Sequence, residues 1–165
     1  MSKTYRVSLQ KEQLVFSSAH FITFNGNVCE SLHGHNYGLR CEVFGPLDEN
    51  GYVVDFIALR DALLEISGRL DHKMLLAEHH GTIKVEHDSE NDEYLVRFED
   101  RRWVFPADNC VLLPIQNTTA ELLAEWIGRE LIRMTFEKFG STIERLLVSV
   151  DENHGQWAVY YFHRT

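Results

Sequence analysis

The chain has 165 residues, of which 44% are hydrophobic and 12% aromatic, as expected for one globular domain over residues 1–165. Its formal net charge of -9 argues against the broad basic surface that duplex nucleic acid requires. No apolar run approaches the roughly 20 residues of a membrane span, and the first residues lack the apolar core of a secretion signal. Three cysteines without Cys-x-x-Cys spacing favour a reduced, cytoplasmic protein.

The first half of the chain predicts two strands followed by a helix. Alternating residues predict strands over 5–16 and 37–44, with a turn at Asn25-Gly26-Asn27 between them. A helix begins after Asp55, whose carboxylate is a suitable N-cap. A polar turn between two alternating stretches then predicts an inserted β-hairpin at about 82–105, which serves as decoration or as an oligomer contact.

The second half predicts another helix and two closing strands. If Thr118 is the N-cap of this helix, Glu121 occupies the capping-box position three residues later. Apolar residues continue at helical spacing to about Phe139. Strands follow over residues 143–150 and 157–162. The order of strands and helices is typical of an α+β fold with an antiparallel sheet.

Closely spaced histidines indicate a metal site. His33 and His35 lie two apart, so on an extended strand their side chains point to the same face. His20 offers a third imidazole, and three imidazoles with an open fourth position are typical of catalytic zinc. Cys29, four residues before His33, is a natural base or nucleophile beside such a centre. The alternative is a chance pair in a chain with nine histidines.

Two further segments carry ionisable residues that are candidates for a functional site. Asp71 and His72 stand side by side at the end of the first predicted helix, where a C-terminal cap is the alternative interpretation. Glu152 lies in the turn between the last two predicted strands, where an ordinary turn carboxylate is the alternative.

Five motifs in this order resemble the 6-pyruvoyltetrahydropterin synthase family, most closely its bacterial 6-carboxytetrahydropterin synthase branch of the queuosine pathway. The motifs are Phe-x-x-Ala-His ending at His20, Cys-x-x-x-His-Gly-His-Asn-Tyr beginning at Cys29, Leu-Asp-His-Lys around Asp71, a Thr-Ala-Glu helix start, and Glu152. The resemblance covers nearly the whole chain except the insertion. It implies a tunnel-fold subunit with two helices on one face of a four-stranded antiparallel sheet, assembled as a homohexamer of two stacked trimers.

The resemblance also implies residue roles and a cofactor. Zinc would be bound by three residues: His20, His33 and His35. Proton transfer would fall to three others: Cys29, with Asp71 and His72 from a neighbouring subunit. The pterin would be anchored by Glu152, helped by the region of Thr118 and Thr119.

The implied reaction converts 7,8-dihydroneopterin triphosphate into 6-carboxy-5,6,7,8-tetrahydropterin, with release of acetaldehyde and triphosphate and without an external reductant. The 6-pyruvoyl product is an alternative, and a pterin- or metal-binding ring protein is the non-enzymatic one. Some relatives carry Glu instead of Cys before the His-Gly-His and resemble folate-pathway enzymes that cleave dihydroneopterin to 6-hydroxymethyl-dihydropterin. Glu30 stands at that position while Cys29 is retained, so Glu30 is either an alternative base or a solvated loop residue.

Overall fold

A computed structural model describes residues 3–139 and 143–164 of the protein. The strands in these ranges are β1 (Tyr5–His20), β2 (Thr23–Phe24), β3 (Val28–Cys29), β4 (His33–Gly45), β5 (Lys73–Ala77), β6 (Lys84–Asp88), β7 (Glu93–Phe98), β8 (Arg101–Pro106), β9 (Cys110–Leu113), β10 (Arg145–Asp151) and β11 (Trp157–His163). The α-helices are α1 (Phe56–Leu70) and α2 (Ala120–Phe139), and a 3₁₀ turn spans Ala107–Asn109. Neither α-helix is long and apolar enough to cross a membrane within these ranges.

The main sheet has the strand order β11-β10-β4-β1-β5-β9. Its first four strands pair antiparallel, as the sequence predicts. The short strands β5 and β9 continue the sheet beyond β1 with parallel pairing, which the predicted four-stranded sheet did not include. The observed sheet is therefore mixed, with the antiparallel part carrying most of the pairing.

Both helices pack on one face of this sheet and share a single core with it. Leu63 of α1 and Leu123 and Ile127 of α2 are fully buried there. Asp55 caps α1 as predicted, since its Oδ1 accepts the backbone N–H groups of residues 57 and 58. The cap of α2 differs from the prediction that started from Thr118. The hydroxyl of Thr119 accepts the Leu122 N–H at 3.5 Å, so Thr119 is the N-cap.

A bulge in β1 changes which of its residues face the helices. Residues before it, such as Leu9, are buried at odd positions, whereas Leu14 and Phe16 beyond it are buried at even positions. Gln10 pairs with Arg40 and Val15 pairs with Gly38, so residues 11–14 lie opposite Leu39 alone. This switch in alternation places His20 on the helix-covered face.

The insertion forms a separate three-stranded antiparallel sheet, β6-β7-β8, one strand wider than the predicted hairpin. It has its own apolar cluster, which we call the insertion core. Its buried members are Phe21, Cys29, Met74, Leu76, Ile83, Val96 and Phe98. Because Phe21 and Cys29 come from outside the insertion, the insertion core joins the inserted sheet to the end of β1.

A small hairpin connects β1 to the loop before β4. Its strands β2 and β3 pair Thr23 with Cys29 and Phe24 with Val28. Asn25 and Gly26 in the turn have φ values of 47° and 87°, in the left-handed region that Asn and Gly adopt most readily. The hairpin thereby returns the chain to the end of β1.

The packing of α2 on β11 leaves no room at Gly128. A Cβ there would lie 2.5 Å from Cδ1 of the Tyr160 ring. We expect Gly128→Ala to lower the free energy of unfolding by about 1–3 kcal/mol through overpacking. The matched control is Gly68→Ala in α1, where an added Cβ meets nothing within 4 Å. That change should raise stability by about 0.5–1 kcal/mol. Urea denaturation measures both, and equal effects would contradict the tight contact.

Candidate metal centre

The three predicted imidazoles meet on the helix-covered face of the sheet. In the β1–β4 register His20 pairs with His33, and Ser18 pairs with His35. The ring centroids lie 4.8 Å apart for His20 and His33, 5.3 Å for His20 and His35, and 4.7 Å for His33 and His35. One nitrogen from each ring lies within 4.8 Å of the other two, close enough for one metal ion.

Backbone carbonyls orient two of these rings. The Nδ1 atom of His20 lies 2.9 Å from the Thr118 carbonyl oxygen, and Nδ1 of His33 lies 2.9 Å from the Ser31 carbonyl oxygen. A carbonyl only accepts, so each Nδ1 carries the proton and each Nε2 has a lone pair that can bind a metal. Metal-binding histidines usually have this arrangement, in which the second ring nitrogen donates to a carbonyl or a carboxylate.

His20 is held in the neutral form that a metal requires. Its side chain is 1% exposed, and this burial lowers its pKa to about 4, with smaller contributions in the same direction from His33 and His35. Three imidazoles are a donor set that suits Zn²⁺ with one open coordination position. The residues therefore fit the metal that the sequence predicts.

Three oxygen-bearing side chains border the imidazoles. Glu152 Oε1 lies 3.6 Å from His20 Nε2, and Glu30 Oε1 lies 3.7 Å from His33 Nε2. Burial raises the pKa of Glu152 above its ordinary value. The Tyr37 hydroxyl, for which the sequence alone predicts no role in the site, lies 3.2 Å from His20 Nε2. Its position two residues after His35, on the same strand face, was the available signal.

Cys29 and Glu30 are adjacent but lie in different surroundings. The Cys29 side chain belongs to the insertion core, and burial raises the pKa of its thiol. Glu30 exchanges two hydrogen bonds with Ile22, because its N–H donates to the Ile22 carbonyl and its Oε2 accepts the Ile22 N–H, both at 3.0 Å. The other oxygen, Oε1, points toward His33. The structure thus places the Glu30 carboxylate 3.7 Å from a ring nitrogen of His33 and packs the Cys29 side chain in the insertion core.

Asp71 and His72 form a hydrogen-bonded pair, with 2.8 Å between Asp71 Oδ2 and His72 Nδ1. The Ser17 N–H donates to Asp71 Oδ1 at 2.8 Å, and this bond, followed by the contact with His72, lowers the pKa of Asp71. The His72 side chain is 83% exposed. It borders a groove of about 560 Å³ that also reaches His35. The groove is lined by residues that alternate with the ligands along β1 and β4, among them Ser17, Ala19, Gly34 and Asn36.

Thr118 and Thr119 lie at the start of α2, next to the buried His20. Thr118 is 2% exposed, and its hydroxyl donates to the Phe21 carbonyl at 3.4 Å. Its own carbonyl is the acceptor that orients His20. Thr119 begins α2 beside it. The residues at the start of α2 therefore fix the orientation of the His20 ring.

Comparisons with known proteins find similarity over nearly the whole chain. The model of the 6-pyruvoyl tetrahydropterin synthase family matches residues 9–162. A protein of Methanocaldococcus jannaschii, provisionally named 6-carboxy-5,6,7,8-tetrahydropterin synthase, is 32% identical over 148 residues, covering 89% of each chain. A protein of Pyrococcus horikoshii with the same provisional name is 31% identical over 150 residues, covering 89% of this chain and 85% of its own.

Solved structures extend the similarity to the insertion. The 6-pyruvoyl tetrahydropterin synthase of Plasmodium falciparum has a TM-score of 0.91 at 30% identity, covering 99% of this chain and 100% of its own. The Plasmodium vivax 6-pyruvoyltetrahydropterin synthase, with a catalytic glutamate replaced by alanine, has a TM-score of 0.91 at 26% identity and the same coverage.

Proposed function

The chain belongs to the 6-pyruvoyl tetrahydropterin synthase family, and from that premise we propose that it is a zinc-dependent lyase acting on 7,8-dihydroneopterin triphosphate. The proposed product is 6-carboxy-5,6,7,8-tetrahydropterin, with acetaldehyde and triphosphate released, in keeping with the provisional names of the archaeal relatives. The observation that carries this proposal is the set of three imidazoles bordered by carboxylates.

His20, His33 and His35 would hold the zinc ion. When bound, zinc would supply Lewis acidity toward the hydroxyl groups of the substrate side chain. The protein contributes the three imidazoles, two of which are oriented by backbone carbonyls, and it excludes water from the His20 side through burial.

We assign proton transfer to Glu30. One of its oxygens is held by the Ile22 N–H, so the other stays directed at the site, where it can remove a carbon-bound proton from the substrate. The resemblance assigns this role to Cys29. A thiolate is the reactive form of cysteine, and burial in the insertion core disfavours that form. The catalytic Glu of the Plasmodium vivax relative supports the carboxylate.

Glu152 would anchor the pterin. Its partly buried carboxylate beside His20 can accept N–H groups of the pterin ring, and the Thr118–Thr119 helix start would support that end of the pocket. A buried carboxylate that pairs with ligand N–H groups gives orientation as well as affinity.

We further propose that the protein is a cytoplasmic homohexamer of two stacked trimers, in which Asp71 and His72 serve the site of a neighbouring subunit. The exposure of His72, and the position of its groove among residues that alternate with the ligands, support a role toward another copy. The cysteines are all free in the structure, in keeping with a reducing compartment.

Subunit complementation tests this sharing. Glu30→Gln and His72→Ala homo-oligomers should each be nearly inactive. Mixed oligomers, formed by co-expression with two different tags, should regain a measurable part of wild-type turnover, because some sites combine an intact Glu30 with an intact His72. Mixtures as inactive as the parents would place both residues in one subunit's site.

The product assay tests the proposed reaction. Zinc-loaded protein is incubated with 7,8-dihydroneopterin triphosphate, and products are identified by mass spectrometry. We expect 6-carboxytetrahydropterin and acetaldehyde in equal amounts. The 6-pyruvoyl product without acetaldehyde would move the protein to the other branch, and no product at all would favour a pterin- or metal-binding ring protein.

The position of Glu30 also favours a second activity, cleavage of dihydroneopterin to 6-hydroxymethyl-dihydropterin. Its carboxylate lies 3.7 Å from His33, where it can act as a base on a substrate without triphosphate. The same preparation is therefore assayed with dihydroneopterin. Formation of the 6-hydroxymethyl product would support this activity, and its absence would exclude it.

A further inference from the structure

Arg101, at the start of β8 in the insertion, contacts the segment that carries Glu30. Its Nη2 atom donates to the Cys29 carbonyl oxygen at 2.9 Å. Its guanidinium lies over the rings of Phe98 and Trp103, at 5.1 and 5.5 Å from their centroids. The donor is thus held in place by two aromatic side chains of the inserted sheet.

The Cys29 carbonyl and the Glu30 N–H belong to one peptide group, and that group is held at both ends. Arg101 donates to its oxygen, and its N–H donates to the Ile22 carbonyl oxygen at 3.0 Å. A planar peptide fixed at both ends has little freedom to rotate. The direction in which the Glu30 side chain leaves the backbone is therefore set by these two bonds.

The inserted sheet holds the same segment through side chains as well. Cys29 packs in the insertion core beside Val96 and Phe98 of β7. The Asn27 side chain donates to Glu99 Oε1, in the turn between β7 and β8, at 3.2 Å. The segment that precedes Glu30 is thus fixed to β7 and to the turn after it.

We propose that Arg101 is a positioning residue for the reaction, through which the inserted sheet sets the place of the Glu30 carboxylate. This inference rests on the proposed function, because it takes Glu30 as the proton-transfer group. Small displacements of a catalytic group have large effects on rate, and about 1 Å can cost roughly 10²-fold. The insertion is thereby part of the catalytic apparatus rather than decoration.

The test uses Arg101→Met, which keeps an apolar stem on the aromatic rings and removes the donor. We expect kcat to fall by about 10- to 100-fold with KM within about twofold and zinc content unchanged. Arg101→Lys, which keeps a charged donor, should recover kcat to within about threefold of wild type. The matched control is Arg102→Met on the same strand. Arg102 is exposed, and the change should leave kcat unaltered.

Hydrogen exchange of the Glu30 amide supplies a readout that does not depend on turnover, since this N–H donates to the Ile22 carbonyl oxygen. Peptide mass spectrometry should show faster exchange of this amide in Arg101→Met, by about tenfold or more, and wild-type rates in Arg101→Lys and Arg102→Met. If wild-type protein turns over neither pterin, the proposed function fails, while faster exchange would still show that Arg101 holds the segment.

Other outcomes overturn the inference. Wild-type kcat in Arg101→Met would do so, whether or not the Glu30 amide exchanges faster, because Glu30 would then work without the anchor. A fall in kcat that Arg101→Lys does not recover would also contradict it. If Arg101→Met does not fold, Arg101→Gln replaces it, since the shorter amide should not reach the Cys29 carbonyl and should show the same loss.

Discussion

Replacing Glu30 by Gln is expected to lower kcat by about 10²- to 10⁴-fold, the usual contribution of a general acid or base. Gln keeps the size of Glu and an oxygen that can accept the Ile22 N–H, so the loop should stay in place. The carboxylate is outside the set of three nitrogens, so bound zinc should be unchanged. Steady-state kinetics and elemental analysis of the same preparation measure both quantities.

Cys29→Ala is the matched comparison for this prediction. The Cys29 side chain packs in the insertion core, so we expect a stability loss of about 1 kcal/mol and turnover within about threefold of wild type. A folded, zinc-loaded Cys29→Ala protein without turnover would return proton transfer to the thiol. Wild-type activity in Glu30→Gln would also contradict the assignment of proton transfer to Glu30.

Loss of the metal should abolish the activity. His35 is half-buried, and its removal leaves only two imidazoles for the ion, so His35→Ala should hold less than about a tenth of a zinc ion per chain, with kcat/KM lowered by at least about 10²-fold. Wild-type protein treated with a chelator should lose activity and regain it with added zinc. Elemental analysis and turnover are measured together.

His79→Ala is the control for the metal prediction. His79 is exposed and pairs only loosely with its neighbour Glu78, at 3.8 Å. Its removal should change neither zinc content nor rate. Stoichiometric zinc in His35→Ala would place the metal somewhere other than the three imidazoles, and full activity without zinc would remove the metal from the reaction.

Much of the fold was predictable because its signals are local. Alternating and helical spacing located the four antiparallel strands and both helices, and the Asp55 cap follows from a carboxylate before an apolar helix face. The parallel strands β5 and β9 were missed, since they are short and their pairing joins distant parts of the chain. The third strand of the insertion is visible in the sequence only as a weak continuation of the hairpin.

The three imidazoles show where local reasoning ends. His33 and His35 share a face by their spacing alone. His20 was identified from the order of the motifs along the chain. Whether His20 faces the same side depends on the bulge that shifts β1 from odd to even burial, which spacing does not reveal.

The amino-acid sequence by itself determined the strand and helix pattern, the three imidazoles and the family. The tertiary structure showed that Thr119 caps α2, and that Arg101, more than 70 positions from Glu30, donates to the carbonyl of the peptide group that precedes Glu30. It also supports the proposal of Glu30 rather than Cys29 as the base, because neighbouring residues leave an extended chain in opposite directions and the inserted sheet covers the Cys29 side. These features depend on contacts between distant parts of the chain, which no local pattern encodes.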